Sequence, residues 1–394
     1  MRRFRMFLLA VVPLLAAHLM MADGNFAVVG TCKPKLTSFT TIQAAVTKVP
    51  PGSTVLVCPG VYPEQVTISQ PLTLQGIADS NLDQITITAT GGLAPNVTSM
   101  FSQSVAAQVL VQVPVQNAGP VNITNIAVDG TGGDQGCTAS GGTWLAGVFY
   151  SGSSGSVNRV RANGQMDGSC GVGIWAENAG SPNQSLTIQG SSVHDIDNAG
   201  IFASSGGPKP TLAVRMKDNF VFVPGAVGMV LDNVNGEITD NDVSNALAGI
   251  FDIAPAAHIS SNNVTSTSIG ILLLAGGTVQ SNDIMNSGVG VLLAAGDANV
   301  QSNRITLATT AIEFNCNAAT VAQNTINDAA SGLDLVPPTF TGTNTFANTG
   351  TICTDCAVAA PRVSSMQAVT QKPTRSGLPP SKWRTPANPL GLRP

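Results

Sequence analysis

The chain has 394 residues, of which 43% are hydrophobic, 10% charged and 5% aromatic, and its mean hydropathy is +0.22. That apolar content excludes a wholly disordered chain, despite 41 glycines and many Asn, Ser and Thr residues. The net charge of −4 conceals a body near −13, because residues 1–22 and 357–394 hold nine of the 18 basic residues and none of the 22 acidic ones; this argues against nucleic acid and polyanionic polymers unless a divalent cation bridges them.

Residues 1–22 begin with Arg2, Arg3 and Arg5 and continue into an apolar run that Pro13 interrupts. This has the form of a secretory signal, with cleavage after Ala17 or Ala22, and an uncleaved N-terminal anchor is the alternative. The expected location is secreted, periplasmic or cell-surface, with no membrane contact beyond export. Seven cysteines agree with an oxidising compartment.

Residues 23–60 read as a cap. Thr41-Ile42-Gln43-Ala44-Ala45-Val46 predicts a short helix near 41–48, and turn-punctuated β segments follow from Val55 to Gly76. A solenoid needs its first turn covered, since an open end exposes core and unpaired strand edges. Cys32 and Cys58 are placed to staple this cap. Residues 61–210 read as irregular turns of the same solenoid, with strands at 85–88 and 109–115 and insertions at 129–146, 163–170, 177–184 and 204–210.

From residue 211 to 356 one phrase recurs. Asn-x-Val/Ile starts at Asn219, Asn241, Asn262, Asn282, Asn303 and Asn324, with a looser copy at Asn344, in steps of 20–22 residues. Gly-Ile/Val recurs in phase at Gly228, Gly249, Gly270 and Gly290, continuing at Ala311 and Gly332 in steps of 20 or 21. Self-similarity at this period is the signature of a solenoid. The predicted fold is all-β, a single-stranded right-handed parallel β-helix with rungs of about 21 residues and a short N-terminal capping helix. Residues 357–394, rich in Pro, Ser and Lys, read as a disordered tail.

The opening at 41–76 resembles the start of pectin methylesterases and other secreted proteins of the pectin-lyase-like superfamily, and the Asn-x-Ile and Gly-Ile repeats extend the resemblance over most of the chain. It implies a right-handed parallel β-helix. The methylesterase Gln-Asp pair and Asp-Phe-Ile-Phe-Gly strand are missing, as are the polygalacturonase Asn-Thr-Asp and Gly-His-Gly motifs, so no family active site carries over.

Within a rung, side chains alternate in and out along each strand. The residue after each Gly points inward, and the next one points outward: Trp175, Phe202, Val230, Phe251, Leu272, Leu292, Glu313 and Asp334. The middle of that outward row is apolar for about four rungs, so it is expected to lie under a loop, the tail or another subunit, with a homo-oligomer as one outcome. Asn219, Asn241, Asn262, Asn282, Asn303 and Asn324 are expected at a sharp corner in the left-handed region, each amide bonding the next. Asp252 would point inward in a regular strand, and a bulge or turn start is expected instead of a buried charge. Cys137 and Cys170 fall in equivalent loops of consecutive rungs and can pair; Cys353 can pair with Cys356, or Cys316 with one of them.

Candidate sites cluster at the polar end of the outward row. Trp175, Phe202 and Phe251 could stack on sugar rings, and Glu177 and Asp232, two rungs apart, have roughly the 9.6 Å separation that suits inverting glycoside hydrolysis. Asp195 and Asp197 are further catalytic candidates, and with Asp167, beside His194, they would equally suit Ca²⁺. None of the nine body cations projects from the Gly-Ile strand, which argues against a metal-free polyuronate lyase. The expected function is carbohydrate binding or carbohydrate chemistry on an extracellular or periplasmic polysaccharide. The alternatives are a non-catalytic scaffold or adhesion protein assembling through the apolar row, and a calcium-dependent polysaccharide lyase or epimerase.

Overall fold

The computed structural model describes residues 26–354 except 78–83, 90, 134–135, 138–141, 181, 255, 315–317, 336–338 and 342. The leader expected at 1–22 and the tail expected at 357–394 lie outside the described residues, and among the described residues no helix is long and apolar enough to cross a membrane.

Short parallel strands coil into a right-handed β-helix with three faces per rung. One rung shows the plan: Ala248–Asp252 on the first, Gly-Ile face, His258–Ser260 on the second and Asn263–Thr265 on the third. Each pairs with its counterpart one rung on, Ile250 with Ile271, Ile259 with Val279 and Val264 with Ile284. Ile174, Ile201, Met229, Ile250, Ile271, Val291, Ile312 and Leu333 all enter one continuous interior cluster, as the alternation required. The strand expected at 109–115 is displaced: it runs Ser104–Val111, and Val115–Asn117 forms a 3₁₀ turn. Pro114 has no N–H to continue the ladder.

The two halves of the repeated phrase touch. A Cβ on Gly249 would lie 2.4 Å from Val264 Cγ1, one on Gly228 2.5 Å from Val243 Cγ1, and one on Gly270 2.7 Å from Ile284 Cγ2. Each glycine thus clears space for the branched residue that follows the Asn of its own rung, which is why the two motifs keep phase. Ala311 occupies the same place in its rung, so a methyl is accommodated there.

The corner Asn residues form a continuous ladder. The Nδ2 of Asn219, Asn241, Asn262, Asn282, Asn303 and Asn324 each donates to the Oδ1 of the next Asn at 2.9–3.0 Å, ending on Asn344. Each Oδ1 also accepts the main-chain N–H of the preceding Asn, as Asn262 does from Asn241. The left-handed residue is not the Asn but the one before it: Asp218, Asp240, Ser261, Ser281, Ser302 and Gln323 have φ of 54–60°. The Asn side chains are committed to the ladder, so their neighbours make the turn.

A second left-handed position recurs at the next corner, filled by Asn245, Ser266, Asn286, Leu307, Asp328 and Asn348. Leu307 is the misfit, at φ 57° and 53% exposed. Leu307→Asn is expected to raise stability by about 1 kcal/mol, because Asn tolerates this conformation and leucine gains nothing from burial. A thermal melt checks it; an unchanged or lowered melting temperature would show that the corner is not strained.

At the N-terminal end the helix Ile42–Lys48 closes the first rung with Ile42, Ala45 and Val46. Thr41 Oγ1 caps it by accepting Ala44 N–H, and the Glu64 carboxylate accepts Ile42 and Gln43 N–H at 2.8 and 2.9 Å. Disulfides join Cys32 to Cys58 and Cys137 to Cys170. Cys353 is disulfide-bonded as well, while Cys316 and Cys356 lie outside the described residues.

Candidate functional site

The outward row of the Gly-Ile face is continuous: Leu110, Phe149, Trp175, Phe202, Val230, Phe251 and Leu272 pair in succession. It is not solvated. Trp175 is 0% exposed, and Phe202 and Phe251 are also buried, so none of the three presents a ring to a sugar. A hairpin covers part of the row, Val97–Thr98 pairing antiparallel with Ser104 and Val105. Its tip packs Phe101 on Phe202 with centroids 6.0 Å apart, and Trp144, Phe149 and Phe202 surround the Trp175 ring. The assembly face expected here therefore shrinks to the half-buried Ile253, Leu274, Leu292 and Ala294 beyond the hairpin.

Glu177 and Asp232 do share an outward row, with Ser204 between them. Glu177 is only 4% exposed, and its carboxylate accepts Met100 N–H at 3.1–3.2 Å and faces Ser151 Oγ at 3.5 Å. Burial pushes Glu177 up to about 7, against the pull of those hydrogen bonds, and pushes Asp232 up to about 6. Ser204 Oγ, fully buried, donates toward Met100 Sδ at 3.8 Å. The pair has the row and the titration range for acid–base work, but in this conformation Glu177 anchors the hairpin tip and water does not reach it.

The acidic turns bind backbone. Asp197 accepts the N–H of Asp167, Ser169 and Gly171 at 2.6–3.0 Å, and Asp167 accepts that of Cys137 at 3.0 Å. Asp195 instead faces His194 Nδ1 at 2.8 Å. Carboxylates that collect amide donors are the reverse of a cation site, and among the described residues no group of acids, His or Cys converges to hold a metal. The Ca²⁺ expected at Asp167, Asp195 and Asp197 gains no support from these contacts. The expectation for Asp252 is corrected in part: there is no bulge, but a turn does start there, its Oδ1 accepting Ala254 N–H at 2.8 Å. Its strand is regular, its side chain points inward between Leu231 and Leu273, and burial pushes its carboxyl up to about 7.

Solvent-facing aromatics lie elsewhere. Phe220 and Phe222, outward on the third-face strand Phe220–Phe222, are 45% and 37% exposed. Ser192 and Asp242 flank Phe220 in the adjoining rungs, and His194 and Ser244 flank Phe222. The signal was in the sequence, as Phe220 and Phe222 alternate about the inward Val221. A groove on the second face is the other opening, lined by Ser185, Ala213, Arg215, Asn235 and Glu237 among others.

No protein-family model and no curated protein sequence matches the chain. Among solved structures it is similar to the A-module of a mannuronan C-5 epimerase from Azotobacter vinelandii, with TM-score 0.57 and 15% identity over 83% of this chain and 95% of that one. It is also similar to the Dettilon tailspike protein, with TM-score 0.58 and 15% identity over 84% of this chain and 68% of that one. The fold is that of the parallel β-helix proteins. At this identity the likeness extends to the fold alone, and the third-face aromatics and second-face groove have to be read from their own chemistry.

Proposed function

We propose that the protein is an exported glycan-binding β-helix that works through its second and third faces. The observation that carries this reading is the solvent-facing Phe220–Phe222 pair set among hydroxyl, imidazole and carboxylate groups. A ring face with polar groups around it matches the apolar face and hydroxyl edge of a pyranose. The disulfides at Cys32–Cys58 and Cys137–Cys170 support export, because such bonds persist in oxidising compartments. An acidic body of nine basic against 22 acidic residues favours a neutral glycan. Binding is favoured over catalysis because the raised carboxylate Glu177 is shut beneath the hairpin.

Affinity electrophoresis in gels containing neutral polysaccharides tests this. Phe222→Ala is expected to weaken binding about tenfold, equivalent to about 1.4 kcal/mol, with a smaller loss of stability than a core Phe→Ala because the residue is 37% exposed. Absence of binding to every neutral polysaccharide tried would sink the reading.

A further inference from the structure

The second-face groove has a volume of about 340 Å³. It is built by register. Gln184–Gln189 pairs with Leu212–Lys217, which pairs with Asn235–Thr239, so Ser185, Ala213 and Asn235 form one outward column and Thr187, Arg215 and Glu237 the next. Ala213 sets a floor one methyl high, while the long side chains of Arg215 and Glu237 stand beside it as a wall. Two rung steps of about 4.8 Å make this trough roughly 10 Å long, the length of a short saccharide segment.

The wall is electrically self-compensated. Arg215 Nη2 lies 3.4 Å from Glu237 Oε1, and Lys217 is balanced by Asp218 and Asp240 at 3.9 and 3.6 Å. A polyanion gains no net attraction here and meets the repulsion of the acidic body. A cation would have to break the Arg215–Glu237 pair. What the pair does offer, side by side, is one donor and one acceptor. Neighbouring hydroxyls on a sugar ring match that arrangement, one accepting from the guanidinium and the other donating to the carboxylate. Ser185 and Asn235 add hydrogen-bonding groups across the floor, and the Ala213 methyl suits the apolar side of the ring.

We infer that this groove is a subsite for a neutral oligosaccharide, with Ala213 beneath the ring and the Arg215–Glu237 pair reading a vicinal diol. The inference rests on the glycan-binding reading and deepens it. The groove strand Leu212–Lys217 and the aromatic strand Phe220–Phe222 are consecutive in one rung, joined across the Asn219 corner, so one saccharide chain can engage both.

The test is isothermal titration of the full chain with neutral oligosaccharides from cellulose, xylan and mannan. Ala213→Trp, which fills the floor, and Arg215→Ala are each expected to weaken binding at least tenfold without lowering the melting temperature, since both positions are exposed. The best ligand, after periodate cleavage of its diols and borohydride reduction, should bind the unaltered protein no better than the intact sugar binds Ala213→Trp. Wild-type affinity in both groove variants, with loss only in Phe222→Ala, would overturn the groove and leave the aromatic surface standing. Undiminished binding of the cleaved sugar would overturn the diol recognition. Failure of the unaltered protein to bind any of the panel would remove both.

Discussion

Replacing Asn262 by leucine is expected to cost on the order of 3–5 kcal/mol, a large fraction of what a typical domain has in reserve. Asn262 is buried and central to the ladder: its Oδ1 accepts Asn241 N at 3.0 Å and Asn241 Nδ2 at 2.9 Å, while its Nδ2 donates to Ile238 O and Asn282 Oδ1, both at 2.9 Å. Leucine has a similar volume, so the loss is one of polar partners. The buried Asn241 main-chain N–H loses its acceptor, the Asn241 amide loses one of three, and the Ile238 carbonyl and Asn282 Oδ1 each lose a donor, a group left unsatisfied costing about 1–3 kcal/mol. Coupling in a solenoid is between neighbours, so the damage should separate the rungs before Asn262 from those after it. Urea denaturation followed by circular dichroism should show an early transition, whereas the exposed neighbour variant Asn263→Ser should melt as the parent does. Equal midpoints for the two variants would refute a structural role for the ladder.

The second large effect is on pH dependence, with a sign opposite to that of most carboxylates. Asp252 has its carboxyl pushed by burial from the ordinary carboxylate range up to about 7, with only the Ala254 N–H bond, at 2.8 Å, pulling it down. Its Oδ2 has no hydrogen-bond partner among the described residues. Between about pH 4 and 7 the folded protein therefore holds a proton that the unfolded chain releases, and stability falls as pH rises across that window. At about 1.4 kcal/mol per unit the contribution of Asp252 is on the order of 4 kcal/mol. Glu177 and Asp232 are displaced in the same direction, also by burial. The protein should accordingly be more resistant to urea at pH 5 than at pH 8. Asp252→Asn keeps an oxygen for Ala254 N–H and carries no charge, so it should flatten much of that slope and be the more stable form at pH 8. A parent protein at least as stable at pH 8 as at pH 5, or a variant with an unchanged slope, would contradict the account.

Much of the architecture was legible because each rung repeats the same local chemistry. The Asn step of about 21 residues is the ladder spacing, and the phase between Gly249 and Val264 is a direct contact within one rung. The candidate site was less legible. The alternation correctly assigned Trp175, Phe202 and Phe251 to the outward row, yet outward did not mean solvated. Phe202 is covered by the hairpin around Met100, 77 residues upstream of the Glu177 that holds its tip. No periodicity announces such a contact, since the hairpin lies outside the repeat. Asp252 was legible in part: the alternation pointed it inward and a turn does start there, but the bulge that the cost of a buried carboxylate argued for is not formed. The structure keeps the strand regular and accommodates the acid by favouring its neutral form.

By itself, then, the sequence determined the rung, the ladder, the capping helix and which side of each strand faces the interior. These depend on alternation within a strand and on stacking between neighbouring rungs, both written into short, repeating stretches. Only the tertiary structure decided which outward surfaces meet water. It buried the aromatic row, set the hairpin on Phe202 and Glu177, turned Asp167 and Asp197 onto backbone amides, and left Phe220, Phe222 and the Arg215–Glu237 groove open. The physical reason is that solvent exposure depends on what packs over a side chain, and here the covering segment is remote in sequence and carries no repeat.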